Sequence, residues 1–464
     1  MSNAHAQGRL PKIRIRPEVI DKNLCCGCGA CVGVCPTGVL SIDLNKSHVP
    51  LIDESKCTGC DLCYDVCPGR GYPVAKWVGL QRDEATRMFV DRGPVRKYLM
   101  GHSLDPEIRL NSASGGIATS LMLHLLETGQ VDDVVVIGME NDRPVARLTH
   151  DPQVVRESVG SKYGPVPMLE TLIPELRKQP RRIAMTVTPC QLGGWRRAVE
   201  RIPKLRKSSV LTIGLFCGQV QSYDSLISIA ATLGIQYPGD AKFTDWRYGP
   251  YPGSARFEFP DGTAVEKPLY PWLDVAVPHF SLNRCFLCPD GGNWLADMTL
   301  GDIHSGGNDE TVTVCRTRRA VDVLASAQDA GRIALQEMTT SQVEQCVIRH
   351  ISRSKMLPAI ARNAWLEKMG KPHPAFDYDG EALFPGRLKL MAIFWVWKYR
   401  LTFWCRGGWR RAFLLNHPRV MEKTGHFLYY FPATIPGWKL AIRLKHKITA
   451  FRKTITSFFK FKKA

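Results

Sequence analysis

The sequence predicts an α/β body, with a small α+β cysteine-rich domain in front of it and a basic, mainly helical tail behind it. Three observations carry this. Apolar strand-like runs alternate with helix-like stretches through the middle of the chain. Nine of the sixteen cysteines crowd between Cys25 and Cys67. The formal net charge of +19 falls almost wholly in residues 385–464, which carry +17, whereas the preceding 384 residues carry +2. With 464 residues, 44% hydrophobic and 23% charged, the chain has room for two to three domains and a sizeable core. The same composition excludes a disordered, collagen-like or purely coiled-coil protein.

Residues 1–20 read as an extended basic lead-in. They hold no apolar stretch of signal-peptide length, and no apolar run of 18 residues occurs in the chain, so cytoplasmic residence without an ordinary spanning helix is expected. Residues 21–80 contain one motif twice, at a period of 32: Cys25, Cys28, Cys31 and Cys35-Pro36, then Cys57, Cys60, Cys63 and Cys67-Pro68. Three closely spaced thiolates wrap three corners of a [4Fe-4S] cubane, and the fourth cysteine of each run reaches the other cluster. One cluster then takes Cys25, Cys28, Cys31 and Cys67, and the other Cys57, Cys60, Cys63 and Cys35. Zinc ribbons also use C-x-x-C pairs, but two intact four-cysteine runs with both prolines resemble a bacterial two-cluster ferredoxin domain. Cys26 falls outside the spacing and reads as a bystander. Clustering of this kind indicates a reducing compartment rather than a disulfide framework.

The body begins with SASGGIATSLMLHLLETG (112–129), a small-residue loop, an apolar helix and a glycine cap. Amides at a helix start, freed of Cβ bulk at Ser112, Ser114, Gly115 and Gly116, can cradle a pyrophosphate; the alternative is a plain N-cap with tight packing. Residues 131–139, 182–189 and 210–216 read as buried strands. Ser161, Lys162 and Tyr163 offer a hydroxyl, a cation and an aromatic face, or else form an ordinary surface loop. Asp302, after Gly301, either holds a ribose hydroxyl or starts a turn. Cys190, Cys217, Cys285 and Cys288 follow strand-like segments or form a C-x-x-C, and strand ends in α/β sheets converge on one edge. They suit a third [4Fe-4S] cluster, a structural zinc, or unligated thiols with one as proton donor. His304 is either a proton carrier or locally hydrogen-bonded. Cys315, Cys346 and Cys405 have no partner spacing and read as buried thiols.

The ordered set SASGG…VVVIG (112–138), GSKYGP (160–165), TPCQ (188–191), GLFCG (214–218), CFLCPD (285–290), AD (296–297) and GD (301–302) resembles the coenzyme F420 hydrogenase/dehydrogenase beta-subunit family. The resemblance divides the body into an N-terminal family region over 95–180 and a C-terminal one over 181–370. It implies a flavin-binding fold and bound FAD, with Ser112, Ser114, Gly115, Gly116, Ser161, Lys162, Tyr163 and Asp302 as its contacts. It also implies a [4Fe-4S] cluster in the same subunit. Simple deazaflavin-reducing members generally lack both a duplicated ferredoxin domain and a long basic tail, which puts the use of coenzyme F420 in doubt.

The tail, 385–464, interleaves its bases with Trp395, Trp397, Trp404, Trp409 and Trp438. Net charge alone permits nucleic-acid binding, but large rings beside Lys and Arg suit a lipid headgroup boundary, so no nucleic acid is expected. From Leu440 to Phe459 apolar residues recur at steps of three and four, the pattern of one helical face. That face lies on the inner surface of a membrane, on the chain's own body or on a partner subunit. Two readings of function follow. The first is an iron–sulfur flavoprotein oxidoreductase that reduces or oxidises its own organic substrate, membrane- or polysaccharide-related. The alternative is an electron-transfer beta subunit docked on a hydrogenase or dehydrogenase partner. In either case a ferredoxin or dehydrogenase subunit exchanges electrons with it.

Overall fold

The computed structural model describes residues 13–91, 93–303, 309–379, 413–417, 419–421 and 423–424. Strands β1 (Leu40–Ser41) and β2 (Leu51–Ile52) form a two-stranded antiparallel pair in the cysteine-rich unit. The body is built on eight strands: β3 (Lys97–Ser103), β4 (Asp133–Glu140), β5 (Arg143–Thr149), β6 (Arg182–Val187), β7 (Ser209–Leu215), and, after an excursion, three more. The excursion is an antiparallel meander of β8 (Lys242–Tyr248), β9 (Ser254–Glu258) and β10 (Ala264–Pro268). Strands β11 (Met298–Asp302), β12 (Thr311–Cys315) and β13 (Ile333–Glu337) then complete the main sheet in the order β13-β3-β12-β11-β7-β6-β4-β5.

The four inner strands β11, β7, β6 and β4 run parallel. Their β-branched runs alternate faces, as a pleated strand must. Val134, Val136 and Ala184 pack on one side with Leu121, Leu125 and Leu324, while Val135, Ile183 and Met185 pack on the other with Leu169, Leu172 and Ile173. Helices therefore cover both faces, the arrangement expected for buried parallel strands. The three strands expected from sequence are β4, β6 and β7. The antiparallel flank β12-β3-β13 and the meander were not expected, because their pairing is decided across the fold and not by local pattern.

The cysteine-rich unit is not a separate bead. Its helix α1 (Ala30–Val34) lies against α2 (Met168–Lys178), and both contribute to one hydrophobic core. Glycine makes the contact possible: a Cβ on Gly33 would sit 2.3 Å from the Leu169 carbonyl oxygen, and one on Gly29 would sit 2.5 Å from that of Pro167. The Leu169 amide donates to the Cys28 carbonyl at 3.0 Å across the same seam. The described part of the lead-in is also structural, since Ile15 and Val19 are each 1% exposed.

Among the described residues no helix is long and apolar enough to cross a membrane. Most of the expected helical tail lies outside the described residues. The described pieces are helical at 413–416 and 419–421, and they pack on the body: Met421 is buried in the aromatic core of the meander with Phe243, Trp246 and Phe257. There the Ser228 hydroxyl faces the Met421 sulfur at 3.3 Å.

Candidate redox site

Two cavities open between the cysteine loops. Site I is lined by Cys25, Cys28, Cys31 and Cys67, with Cys26, Ile15 and Val19 around them. Site II is lined by Cys35, Cys57, Cys60 and Cys63, with Ile13, Val39 and Leu40. The structure thus groups the eight cysteines as the crossed spacing rule does. Positive φ at Gly27 (68°) and Gly59 (72°) turns each loop back on itself so that successive thiols face one space. Among the described residues no three His, Cys, Asp or Glu side chains converge as a single ion requires. The thiols line the two cavities instead.

Burial, reinforced by Cys67, pushes Cys25 up to about 12, and burial pushes Cys63 up to about 12 as well. Thiols raised in this way stay protonated near neutral pH unless a metal replaces the proton. Cys35 differs: burial raises it, but the amides of Thr37, Val39 and Gly38 prevail and hold it below the usual thiol range. Cys28, Cys31 and Cys67 of site I are buried, whereas Cys60 of site II is exposed, so site II is the edge nearer solvent.

Behind site I lies the other cysteine group. Cys190 follows β6 in the first turn of α3 (Pro189–Arg201), and Cys217 follows β7. Cys285 and Cys288 come from α4 (Asn283–Phe286) and its exit. The Val220 amide donates to the Cys285 sulfur at 3.4 Å, and the Cys217 amide donates to the Gly291 carbonyl at 3.0 Å. Burial, opposed by Lys355 and reinforced by Cys285, pushes Cys217 up to about 12. Cys190 packs against the core that holds Cys26 and Cys28, and its sulfur lies 3.4 Å from the Thr188 hydroxyl. Cys26, a bystander by spacing, is buried in that core. Arg284, 1% exposed, links the two groups: its Nε and Nη2 donate to the carbonyls of Gly69 and Pro68 at 3.0 Å, just past Cys67.

The expected flavin contacts gather at one end of the sheet, with partners of their own. The Gly115 amide and the Ser114 hydroxyl both bond the Thr311 hydroxyl at 2.9 Å. Thr311 pairs across the ladder with Asp302. Ser112 donates to the Ile108 carbonyl at 2.6 Å. A Cβ on Gly115 would lie 2.5 Å from the Gly101 carbonyl oxygen, and Gly116 holds φ 79°, so close packing already accounts for both glycines. Ser161 is half-buried in the same loop as Lys162. Lys162 gives its ammonium to the carbonyls of Ser158, Val159 and Gly160 at 2.9, 2.5 and 3.0 Å. Burial holds that ammonium down at about 8.

Arg247 is the residue that sequence reasoning missed here. Its guanidinium, 2% exposed, donates from Nη1 to Asp302 at 2.7 Å and to the Tyr163 hydroxyl at 3.4 Å, and it stacks 5.3 Å from the Tyr251 ring centroid. Among the described residues its Nη2 has no hydrogen-bond partner. The unmet donor leaves this buried guanidinium able to take one more hydrogen-bond acceptor. Arg247 sits in WRYG, which matches no short motif. His304 lies outside the described residues, as does Cys405.

Comparison with known proteins decides the family. The N-terminal model of the coenzyme F420 hydrogenase/dehydrogenase beta subunit matches residues 98–172, and its C-terminal model matches residues 180–341. The chain belongs to that beta-subunit family. A 4Fe-4S dicluster domain matches residues 18–72, so the front of the chain is an iron–sulfur electron-transfer unit. Three relatives place the family chemistry. A coenzyme F420-dependent sulfite reductase of Methanocaldococcus jannaschii is 25% identical over 341 residues, 69% of this chain but 48% of that protein. An F(420)H(2) dehydrogenase subunit of Methanosarcina mazei is 26% identical, over 63% of this chain and 78% of its own length. The beta subunit of coenzyme F420 hydrogenase of Methanosarcina barkeri is 25% identical, over 55% of this chain and 86% of its own length. Among solved structures, a chain of the F420-reducing [NiFe] hydrogenase complex of Methanosarcina barkeri aligns with a TM-score of 0.48 at 22% identity, covering 61% of this chain and 96% of that one.

Proposed function

We propose that the protein is an electron-transfer beta subunit that docks on a hydrogenase- or dehydrogenase-type partner or on a ferredoxin. In this reading two [4Fe-4S] clusters occupy sites I and II, and Cys190, Cys217, Cys285 and Cys288 hold a third. FAD lies at the end of the sheet marked by Arg247, Tyr163 and Asp302, near Ser114 and Gly115. Bound there, the clusters supply single-electron transfer and the flavin supplies exchange with a two-electron carrier, coenzyme F420 among the candidates. The observation that carries the reading is the grouping of the eight N-terminal cysteines around two cavities, within the span that matches a 4Fe-4S dicluster domain.

The chain's own residues hold this path together. Arg284 clamps the Cys67 loop to α4. The Arg197 guanidinium donates to the Gly71 and Asp65 carbonyls at 2.7 and 3.2 Å and fixes the same loop to α3. The exposed Cys60 edge of site II faces an outside carrier. The sequence's first reading, a reductase with its own membrane- or polysaccharide-related substrate, draws no support from these relatives, two of which are named as subunits. The described pieces of the tail pack on the chain's own body, and in this reading the rest of it serves as the docking segment. The test is anaerobic purification of the full chain with iron, sulfide and flavin quantitation. About twelve irons and one FAD support the reading; four or fewer irons, or zinc, overturn it.

A further inference from the structure

The second cysteine group is faced by a cation from beyond the matched family region. Lys355 lies on the π-helical turn Ser352–Met356, past residue 341 where the C-terminal match ends. Single π turns of this kind are frequent at functional sites. Lys355 is 4% exposed, and its ammonium donates to the Cys217 carbonyl at 2.5 Å. Its stem crosses Gly291, where an added Cβ would meet Ile351 at 2.6 Å and the Lys355 Cδ at 3.4 Å. The glycine after Asp290 thus leaves the passage through which the lysine enters. From there Lys355 is within electrostatic reach of Cys217, Cys285, Cys288 and Asp290. A lysine at this depth is costly unless negative charge compensates it. The Asp290 carboxyl, which burial pushes up, offers part of that charge, and thiolates carrying an iron–sulfur cluster would provide the rest.

We propose that Lys355 sets the potential of the [4Fe-4S] cluster held by Cys190, Cys217, Cys285 and Cys288, making that cluster the electron-accepting end of the series. The proposal rests on the three-cluster reading above. Uptake of one electron makes the cluster one charge more negative and breaks no bond; the electron comes from the site I cluster, itself reduced by an external carrier. A fixed positive charge favours the reduced form. Site II has no such buried cation. Its neighbours Arg14 and Arg16 are exposed and already paired with Asp61 and Glu54 at 3.1 Å. Arg284 faces both site I and the second group and so does not distinguish them. Arg197 faces Cys67 of site I, but it is only half-buried and is already bonded to the Gly71 and Asp65 carbonyls.

The test is a redox titration of the full-length, anaerobically purified protein, followed by electron paramagnetic resonance, with dithionite as reductant and iron counted in every sample. Lys355→Met is expected to keep its iron and to weaken electron uptake at one cluster at least tenfold, which is about 59 mV for one electron. The other two midpoints should not move, and Lys355→Arg should restore the wild-type value. If Lys355→Met loses iron, Lys355→Gln, which keeps a donor toward the Cys217 carbonyl, is titrated with the same expectation. Full iron with an unchanged midpoint, or an equal fall at all three clusters, overturns the proposal. Failure of the underlying reading looks different: about eight irons in the wild type, unaltered by Cys285→Ser, removes the third cluster and the proposal with it.

Discussion

Gly33→Ala tests whether the seam between the cysteine-rich unit and the body matters to function. The added Cβ would lie 2.3 Å from the Leu169 carbonyl oxygen and 3.1 Å from the Ile173 Cβ, where ordinary contact begins at 3.4 Å. Helix α1 must therefore back away from α2 by about 1 Å, and overpacking of this size costs about 1–3 kcal/mol. Gly33 has no positive φ, so the cost is contact and not backbone strain. Spread over the docked and undocked states of the unit, that energy shifts their ratio by about 5- to 150-fold. Cys31 rides on α1 and the Cys28 carbonyl bonds across the seam, so iron is counted in every sample and transfer is compared at equal iron content. Thermal melting under argon should fall by a few degrees, and electron transfer from the N-terminal unit to the body, followed by stopped-flow after dithionite mixing, should slow by a comparable factor. Gly218→Ala, whose Cβ would meet nothing within 4 Å, is the control. Wild-type melting and wild-type transfer in Gly33→Ala would refute the view that this contact couples the two units.

Further outcomes follow from the same geometry. Cys285→Ser should lower iron by about four atoms per chain and leave sites I and II filled, as read by iron assay; no change would exclude Cys285 as a ligand. Arg247→Gln should cut retained flavin at least tenfold, since it removes the charge facing Tyr163 and Asp302; wild-type flavin content would move that site elsewhere. Burial holds Lys162 at about 8, below its unfolded value of about 10.4. The unfolded chain therefore holds more protons between those values, and stability should rise with pH across that window. Lys162→Met should flatten the rise in urea midpoints between pH 7.5 and pH 10, and an unchanged slope would contradict the assignment. For the tail, the docking-segment reading expects the full chain to ignore anionic vesicles at low salt; flotation with them would favour the membrane reading instead.

The parts of the site legible in the sequence are those fixed by short spacing. The eight N-terminal cysteines group around two cavities as the C-x-x-C runs imply, because three residues of loop leave little choice of geometry. Strands β4, β6 and β7 were legible because their apolar runs are long and uninterrupted. What the sequence hid depends on distant partners. The antiparallel flank of the sheet requires β3 to pair with β12 and β13, far along the chain. Gly115 and Gly116 read as a phosphate cradle, yet their missing Cβ atoms also admit the Gly101 carbonyl and the Ile108 side chain. Cys26 lies outside the motif, and only folding buries it in the core on which Cys190 packs. Arg247, Arg284 and Lys355 belong to no motif; their importance comes from burial beside groups of opposite charge or lone pairs.

The central claim is that iron–sulfur sites and a flavin in this one chain exchange electrons. The most direct test is an anaerobic reductive titration of the full-length protein, with cluster and flavin absorption followed together. The account predicts uptake of about five electrons per chain, one at each of three clusters and two at the flavin, with flavin bleaching that tracks cluster reduction. Saturation at two electrons or fewer, or clusters that bleach without any flavin response, would contradict it.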